Sequence, residues 1–182
     1  MPTGVKSRDR ILGAVFVLAV LAAQQFWMGE AVSYLSGGLI ISYLLWASAW
    51  WKNDPARILP VYLVAIAVQC LHFAEEFTTQ FYRIFPKLFG SEWSASQFVV
   101  FNMLWLAIFV LAALGVYRQV ALAYLVVLFL AAIGGVGNGA SHLILSAKQG
   151  GYFPGSWTAP LCIWAGTVVL VKLFGGSKNA GT

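Results

Sequence analysis

The chain has 182 residues, of which 60% are hydrophobic and 9% are charged, and its net charge is +5. Soluble domains average about 25% charged residues, so this composition excludes a soluble globular fold and favours one membrane domain. No basic patch is interleaved with aromatic residues, so the positive charge is assigned to membrane topology and lipid headgroups rather than to nucleic acid.

The first span follows a basic N-terminus. Lys6, Arg8 and Arg10 precede an apolar run over residues 11–28, a pattern that signal peptides share. Because this run continues past the small residues that resemble a cleavage site, we predict an uncleaved transmembrane helix. The first ten residues are predicted to be a cytoplasmic tail.

Five further apolar segments follow, each near the ~20 residues that cross a bilayer. Their predicted bounds are 31–51, 58–77, 98–117, 120–145 and 158–174. The polar linker 52–57 separates the second and third spans, and residues 78–97 are predicted to form an interfacial loop with a short amphipathic helix. The predicted fold class is therefore all-α, a polytopic bundle of about six transmembrane helices. A single domain covers 11–174, and 175–182 form a C-terminal tail.

Lysine and arginine positions predict the orientation of the bundle. With the N-terminus inside, eight of these residues are cytoplasmic and three are external, namely Arg83, Lys87 and Lys148. We therefore expect both termini in the cytoplasm and the protein in a bacterial inner membrane. Cys70 and Cys162 both lie in apolar runs, which predicts free, buried thiols.

The stretch QCLHFAEEFTT, residues 69–79, places ionisable groups at the end of the third span. In a helix, His72, Glu75 and Glu76 share a face. A carboxylate in hydrocarbon costs several kcal/mol, so this cluster predicts function. Glu76 lies one turn from His72 on the stripe with Gln69, which makes it the first candidate for proton transfer. Glu75 is expected to be the neighbouring carboxylate that tunes it.

Helix counting brings further polar residues to the same depth. Asn102 lies at the outer start of the fourth span, and Asn138 and His142 lie four residues apart at the outer end of the fifth. Each alone is more typical of an interhelical hydrogen bond than of a functional site. The small residues 131, 135 and 139 repeat every four positions, and we expect this span to pack against the third. Tyr152 follows in the loop above.

Three ordered motifs carry a family resemblance. They are His72-x-x-Glu75-Glu76, Asn138-x-x-x-His142 and the segment that begins Tyr152-x-Pro154-Gly155. In these motifs the chain resembles the HXXEE family of polytopic membrane proteins, from about residue 69 to the sixth span. The resemblance implies a membrane fold with a polar centre, and it implies no particular reaction.

Acid–base chemistry on a lipophilic substrate is the favoured function. Burial next to a second carboxylate favours a glutamic acid that donates protons, as isomerisation, cyclisation or epoxide opening of a lipid or terpene requires. No cofactor is expected. The predicted catalytic residues are Glu76, Glu75, His72, His142, Asn138 and Asn102. The predicted substrate contacts are Tyr152, Trp105 and Gln69. The comparison with membrane sterol isomerases and terpene cyclases is by analogy only.

Two alternatives stay open. His72, Glu76 and His142 have the residue types of a three-ligand site for a divalent metal such as zinc, which predicts a membrane hydrolase. The same cluster suits a proton-coupled transporter or a lipid- or ion-binding protein that is not an enzyme. In each case the expected partners are a lipophilic small molecule and membrane lipids, without nucleic acid, and a homo-oligomer is left open.

Overall fold

A computed structural model of the chain describes residues 5–48 and 54–175. These residues form helices and no strand, as predicted. The helices in chain order are α1 (Ser7–Met28), α2 (Ser33–Ser48), α3 (Pro55–Thr78), α4 (Phe81–Ile84), α5 (Ala95–Tyr117), α6 (Ala121–Phe129), α7 (Asn138–Gln149) and α8 (Ala159–Phe174). Short 3-10 turns cover Gly29–Val32 and Pro86–Phe89, and a π-helical segment, Leu130–Gly137, joins α6 to α7.

The helices α1 and α2 form an antiparallel hairpin. The chain turns at Gly29, where φ is 67°, a conformation that glycine adopts readily. The Gln24 amide donates to the Ser36 hydroxyl at 2.6 Å, and the Tyr43 hydroxyl donates to the Arg10 carbonyl at 3.2 Å. A continuous helix would separate these pairs by about 18 and 50 Å, so the segment 7–48 contains two crossing helices.

The number of long helices agrees with the predicted bundle. Four segments are long and apolar enough to cross a membrane, namely 7–48, 55–78, 95–117 and 121–149, and 159–174 is a shorter apolar helix. With the hairpin counted as two, the described residues contain six long helices. The helix α1 begins within the predicted N-terminal tail. Most of the predicted C-terminal tail and part of the linker 52–57 lie outside the described residues.

Local sequence explains where the helices of the site begin. The Asp54 carboxylate accepts from the Ala56 amide at 3.0 Å and Pro55 follows it, which starts α3. Ser94 and Gln97 form a reciprocal capping box at the start of α5. The interfacial segment between α3 and α5 contains α4 and a 3-10 turn, which agrees with the predicted short helix. Its end is tied to α1 because the Trp93 indole donates to the Met28 carbonyl at 2.8 Å.

The small residues of the fifth span pack against α8. A Cβ atom added to Gly135 would lie 2.9 Å from the Gly166 Cα, and one on Gly139 would lie 2.6 Å from the Ala159 carbonyl oxygen. The predicted contact between the fifth and third spans is present, but the small residues make their closest approach to α8 rather than to α3. The helix α8 contacts both α3 and the π-helical segment, because small residues let two backbones approach closely. The π-helical segment also contacts α3, and beyond it Asn138 and His142 reach the side chains of His72 and Glu76.

The two cysteines differ in environment. Cys162 is buried, as predicted, whereas Cys70 is exposed on the outer surface of the bundle. The prediction of a buried thiol is wrong for Cys70. Both are free.

Candidate acid–base site

Two helices bring three ionisable side chains together at one end of the bundle. His72 and Glu76 come from α3 and His142 comes from α7, and their exposed fractions are 0%, 4% and 1%. Their potential ligand atoms all lie within 4.8 Å of one another. The π-helical segment directly precedes Asn138, and such segments are frequent at functional sites.

A single oxygen of Glu76 faces both imidazoles. Its Oε1 atom lies 3.1 Å from Nε2 of His142 and 3.4 Å from Nε2 of His72. The Nδ2 atom of Asn138 lies 2.8 Å from the same Nε2 of His72. The shortest contacts therefore pair Glu76 with His142 and Asn138 with His72.

The outer nitrogens of the two imidazoles identify their tautomers. Nδ1 of His142 lies 2.6 Å from the Pro154 carbonyl oxygen, which only accepts, so Nδ1 carries a hydrogen. The Thr158 hydroxyl donates to Glu75 at 2.5 Å. It therefore accepts from Nδ1 of His72, which lies 2.7 Å away. In both neutral imidazoles the bare nitrogen is Nε2, which faces the centre of the cluster.

This arrangement requires one proton or cation inside the cluster. The bare Nε2 of His72 accepts a hydrogen bond from the Asn138 amide. Nε2 of His142 instead faces a carboxylate oxygen at 3.1 Å, and two unprotonated acceptors at that distance repel each other. We conclude that Glu76 and His142 share one proton, which satisfies every short contact of the cluster.

Glu75 occupies a different environment from Glu76. Its carboxylate accepts from the Tyr152 hydroxyl at 2.6 Å, from the Trp157 amide at 3.0 Å, and from the Thr158 amide and hydroxyl at 2.8 and 2.5 Å. We call residues 152–158 the roof loop. Adjacent residues on a helix do not face each other. The expectation that Glu75 is the tuning partner of Glu76 is therefore not met by the geometry, and Glu75 anchors the roof loop.

Tyr152 holds the roof loop through its hydrogen bond to Glu75. Burial raises the pKa of its phenol, and the hydrogen bond to Glu75 raises it further, so the phenol stays a neutral donor. Tyr152 is a predicted substrate contact, but it does not line the cavity beside Glu76.

The roof loop passes directly over both imidazoles. At Gly155 φ is +90°, and an added Cβ would lie 2.5 Å from the His142 ring and 3.1 Å from His72 Cε1. Only glycine meets both requirements. The sequence did not predict that the Thr158 hydroxyl accepts from His72 or that the Pro154 carbonyl accepts from His142. Their only signal was membership of the third motif.

An elongated cavity adjoins the cluster on the side of Glu76. The cavity has a volume of about 80 Å³ and is partly open to the surroundings. Five predicted residues line it: Glu76, Gln69, Asn102, Trp105 and Asn138. His72 and His142 do not line it and lie behind Glu76. Glu76 is thus the member of the cluster that a cavity-bound molecule meets first.

A metal ion has a limited donor set here. Among the described residues, His72, Glu76 and His142 form the one group of at least three His, Cys, Asp or Glu side chains that could hold an ion. The outward Nδ1–H bonds suit such a site. However, Asn138 already fills the lone pair of His72 Nε2, which leaves two donors for an ion.

The fold and the site define an all-helical membrane protein with a buried Glu–His cluster beside an apolar cavity. A family model described as "Protein of unknown function with HXXEE motif" matches residues 63–170. This is more than half of the 182 residues, so the chain belongs to the HXXEE family, and the resemblance in its motifs is confirmed. No curated protein and no solved structure matches the chain.

The roof loop provides a test of the role of Glu75. In Glu75→Ala the backbone amides of Trp157 and Thr158 lose their acceptor, so their hydrogen exchange should accelerate about tenfold or more. Exchange measured by mass spectrometry on the purified protein checks this. Glu92→Ala, at an exposed carboxylate, is the matched control. Unchanged exchange of the roof loop in Glu75→Ala would contradict the anchoring role.

Proposed function

We propose that this protein is an integral membrane enzyme that performs acid–base chemistry on a lipophilic substrate, with Glu76 as the group that exchanges a proton with it. One observation carries the proposal. The Glu76 carboxyl lines the apolar cavity while its Oε1 atom lies 3.1 Å from Nε2 of His142. A proton held between these two atoms is therefore adjacent to a bound molecule and shielded from water.

The other residues of the cluster have supporting roles. His142 stores the proton when Glu76 is ionised, and its orientation is set by the Pro154 carbonyl. Asn138 lines the cavity and bonds to His72, so it holds the neutral imidazole and keeps it from competing for the shared proton. Such a pair donates a proton and takes one back within one cycle, as isomerisation, cyclisation or epoxide opening requires. No cofactor enters this proposal.

The proposed cellular setting is the inner membrane of a bacterium, with both termini in the cytoplasm. The excess of lysine and arginine in the assigned cytoplasmic segments supports this orientation. It places the Glu76 cluster in the outer leaflet and the roof loop at the external surface.

The orientation is tested by labelling a single introduced cysteine. With Cys70 and Cys162 replaced by serine, Lys148→Cys lies in the last turn of α7, next to the roof loop. A membrane-impermeant maleimide should label it in intact cells. Arg118 is the C-cap residue of α5 and lies at the predicted cytoplasmic end of that helix. Arg118→Cys should therefore react only after permeabilisation. The reverse pattern would invert the topology and place the cluster in the inner leaflet.

The acid–base proposal is tested by following protons into lipids. Purified protein in liposomes that contain a cellular lipid extract is incubated in D2O, and new carbon-bound deuterium is measured by mass spectrometry. The wild type should incorporate deuterium into one lipid class. Glu76→Gln should slow this by about a hundredfold or more, as expected for loss of a general acid. The glutamine amide still donates to Nε2 of His142, so the variant should keep its fold.

Glu30→Gln is the matched control. Glu30 is an exposed carboxylate bonded to Gln25 and Ser33, outside the cavity lining, and its replacement should leave incorporation unchanged. Full incorporation in Glu76→Gln would contradict the proposal. A stoichiometric transition metal that is lost in His142→Ala would replace it with the metal-dependent hydrolase.

A further inference from the structure

The cavity beside Glu76 has a composition suited to positive charge. Of its twenty lining residues, ten are aromatic and one, Glu76, is a carboxylate. None of the described residues that line it is a lysine or an arginine. A cavity that held only a neutral hydrocarbon would need neither the carboxylate nor such a density of ring faces, because aliphatic side chains bury apolar surface equally well.

Aromatic rings stabilise cations through the negative potential of their faces, and tryptophan does so most strongly. Trp105 lines the cavity and is 6% exposed. Its ring stacks on Phe129 at 4.7 Å and on Phe109 at 5.5 Å between centroids. This packing fixes the indole in place, so its electrostatic effect requires no reorganisation when charge develops nearby.

The extent of the cavity lining along two helices indicates the shape of a ligand that the cavity suits. On α5 the lining extends from Phe98 to Phe109, and on α3 from Gln69 to Glu76. These separations correspond to about 16 Å and about 10 Å along the helix axes. On α3, Glu76 is the lining residue closest to the C-terminal end of the helix, where Glu75 bonds to the roof loop. The cavity therefore suits an elongated hydrocarbon whose reacting end lies beside Glu76.

We propose that the substrate is an elongated, unsaturated hydrocarbon of the isoprenoid type, and that it reacts through a carbocation that the ring faces and the Glu76 carboxylate stabilise. This inference rests on the proposed acid–base function and names its substrate class. The extent of the cavity favours an elongated hydrocarbon, and its aromatic rings and carboxylate favour a carbocation intermediate.

The bond changes balance without a further reactant. The proton held by Glu76 and His142 forms a C–H bond at one carbon of a C=C bond, using the π electron pair, and the other carbon becomes the cation. The Glu76 carboxylate then removes a proton from the neighbouring carbon. The electrons of that C–H bond form the new C=C bond, which gives an isomer and restores the shared proton. If a second C=C bond attacks the cation first, its π electron pair forms a ring bond, and the new cation then loses a proton to the Glu76 carboxylate.

The test measures whether the cavity prefers a cation over a neutral molecule of the same shape. The probes are N,N-dimethyldodecylamine, which is protonated at neutral pH, and the uncharged N,N-dimethyldodecanamide. Binding is measured by calorimetry with the protein in a non-ionic maltoside detergent. The amine should bind about tenfold or more tightly, since a desolvated cation–π contact contributes about 2 kcal/mol.

Variants separate the contributions of the rings and of the carboxylate. In Trp105→Leu the preference for the amine should fall severalfold while the amide affinity changes little, and Trp105→Phe should restore part of the preference. Glu76→Gln should reduce the preference without abolishing it, because the rings remain. Trp164→Leu is the matched control, since Trp164 is 56% exposed on α8 and is outside the cavity lining.

Equal affinities of the wild type for the two probes would overturn the inference, and that comparison needs no variant to fold. The result is distinguishable from failure of the acid–base proposal. Equal affinities together with Glu76-dependent deuterium incorporation would leave the function standing and reject the carbocation. A clear amine preference without such incorporation would reject the acid–base function and, with it, this assignment of substrate class.

Discussion

Two hydrogen bonds from the roof loop determine what the cluster can do. The Pro154 carbonyl accepts from His142 and the Thr158 hydroxyl accepts from His72, so each imidazole presents a bare Nε2 inward. Without these acceptors the rings could bind their protons on either nitrogen. With them, His142 and Glu76 face each other as two acceptors and must share one proton. The position of that proton is thus set by a loop that contains none of the three ionisable groups.

Glu75 extends this dependence to the surface of the bundle. Its four accepted hydrogen bonds hold the roof loop, and the Thr158 hydroxyl links it to His72. The two adjacent glutamates therefore have different roles. Glu76 faces the cavity from a fully packed site, and Glu75 maintains the loop that orients the imidazoles. The cost of burying the Glu76 carboxyl is offset because it has a hydrogen-bonding partner inside the cluster.

Helix counting predicted most of the cluster. It placed polar residues of the third and fifth spans at one depth, and the structure brings four of them into contact: His72, Glu76, Asn138 and His142. The same reasoning selected Glu76 as the inward carboxylate, but it did not predict that Glu75 bonds to the roof loop. It also did not identify α8 as the main partner of the glycine face of the fifth span, since small residues permit close packing without naming the partner helix.

The acceptors of the roof loop were beyond sequence reasoning for another reason. The contact between His72 and Thr158 joins residues 86 apart in sequence, and the acceptor of His142 is a backbone carbonyl, which has no side-chain signature. The π-helical segment, which directly precedes Asn138, was likewise not predicted from the sequence.

The protonation of the two histidines tests the account most directly. Nitrogen-15 NMR of protein labelled at histidine reports which ring nitrogens carry hydrogen. The account predicts hydrogen on Nδ1 of both residues, and it predicts that Glu76→Gln changes the Nε2 resonance of His142 much more than that of His72. A bare Nδ1 on His142 in the wild type, or an Nε2 resonance unaffected by Glu76→Gln, would contradict the shared proton on which the proposed chemistry depends.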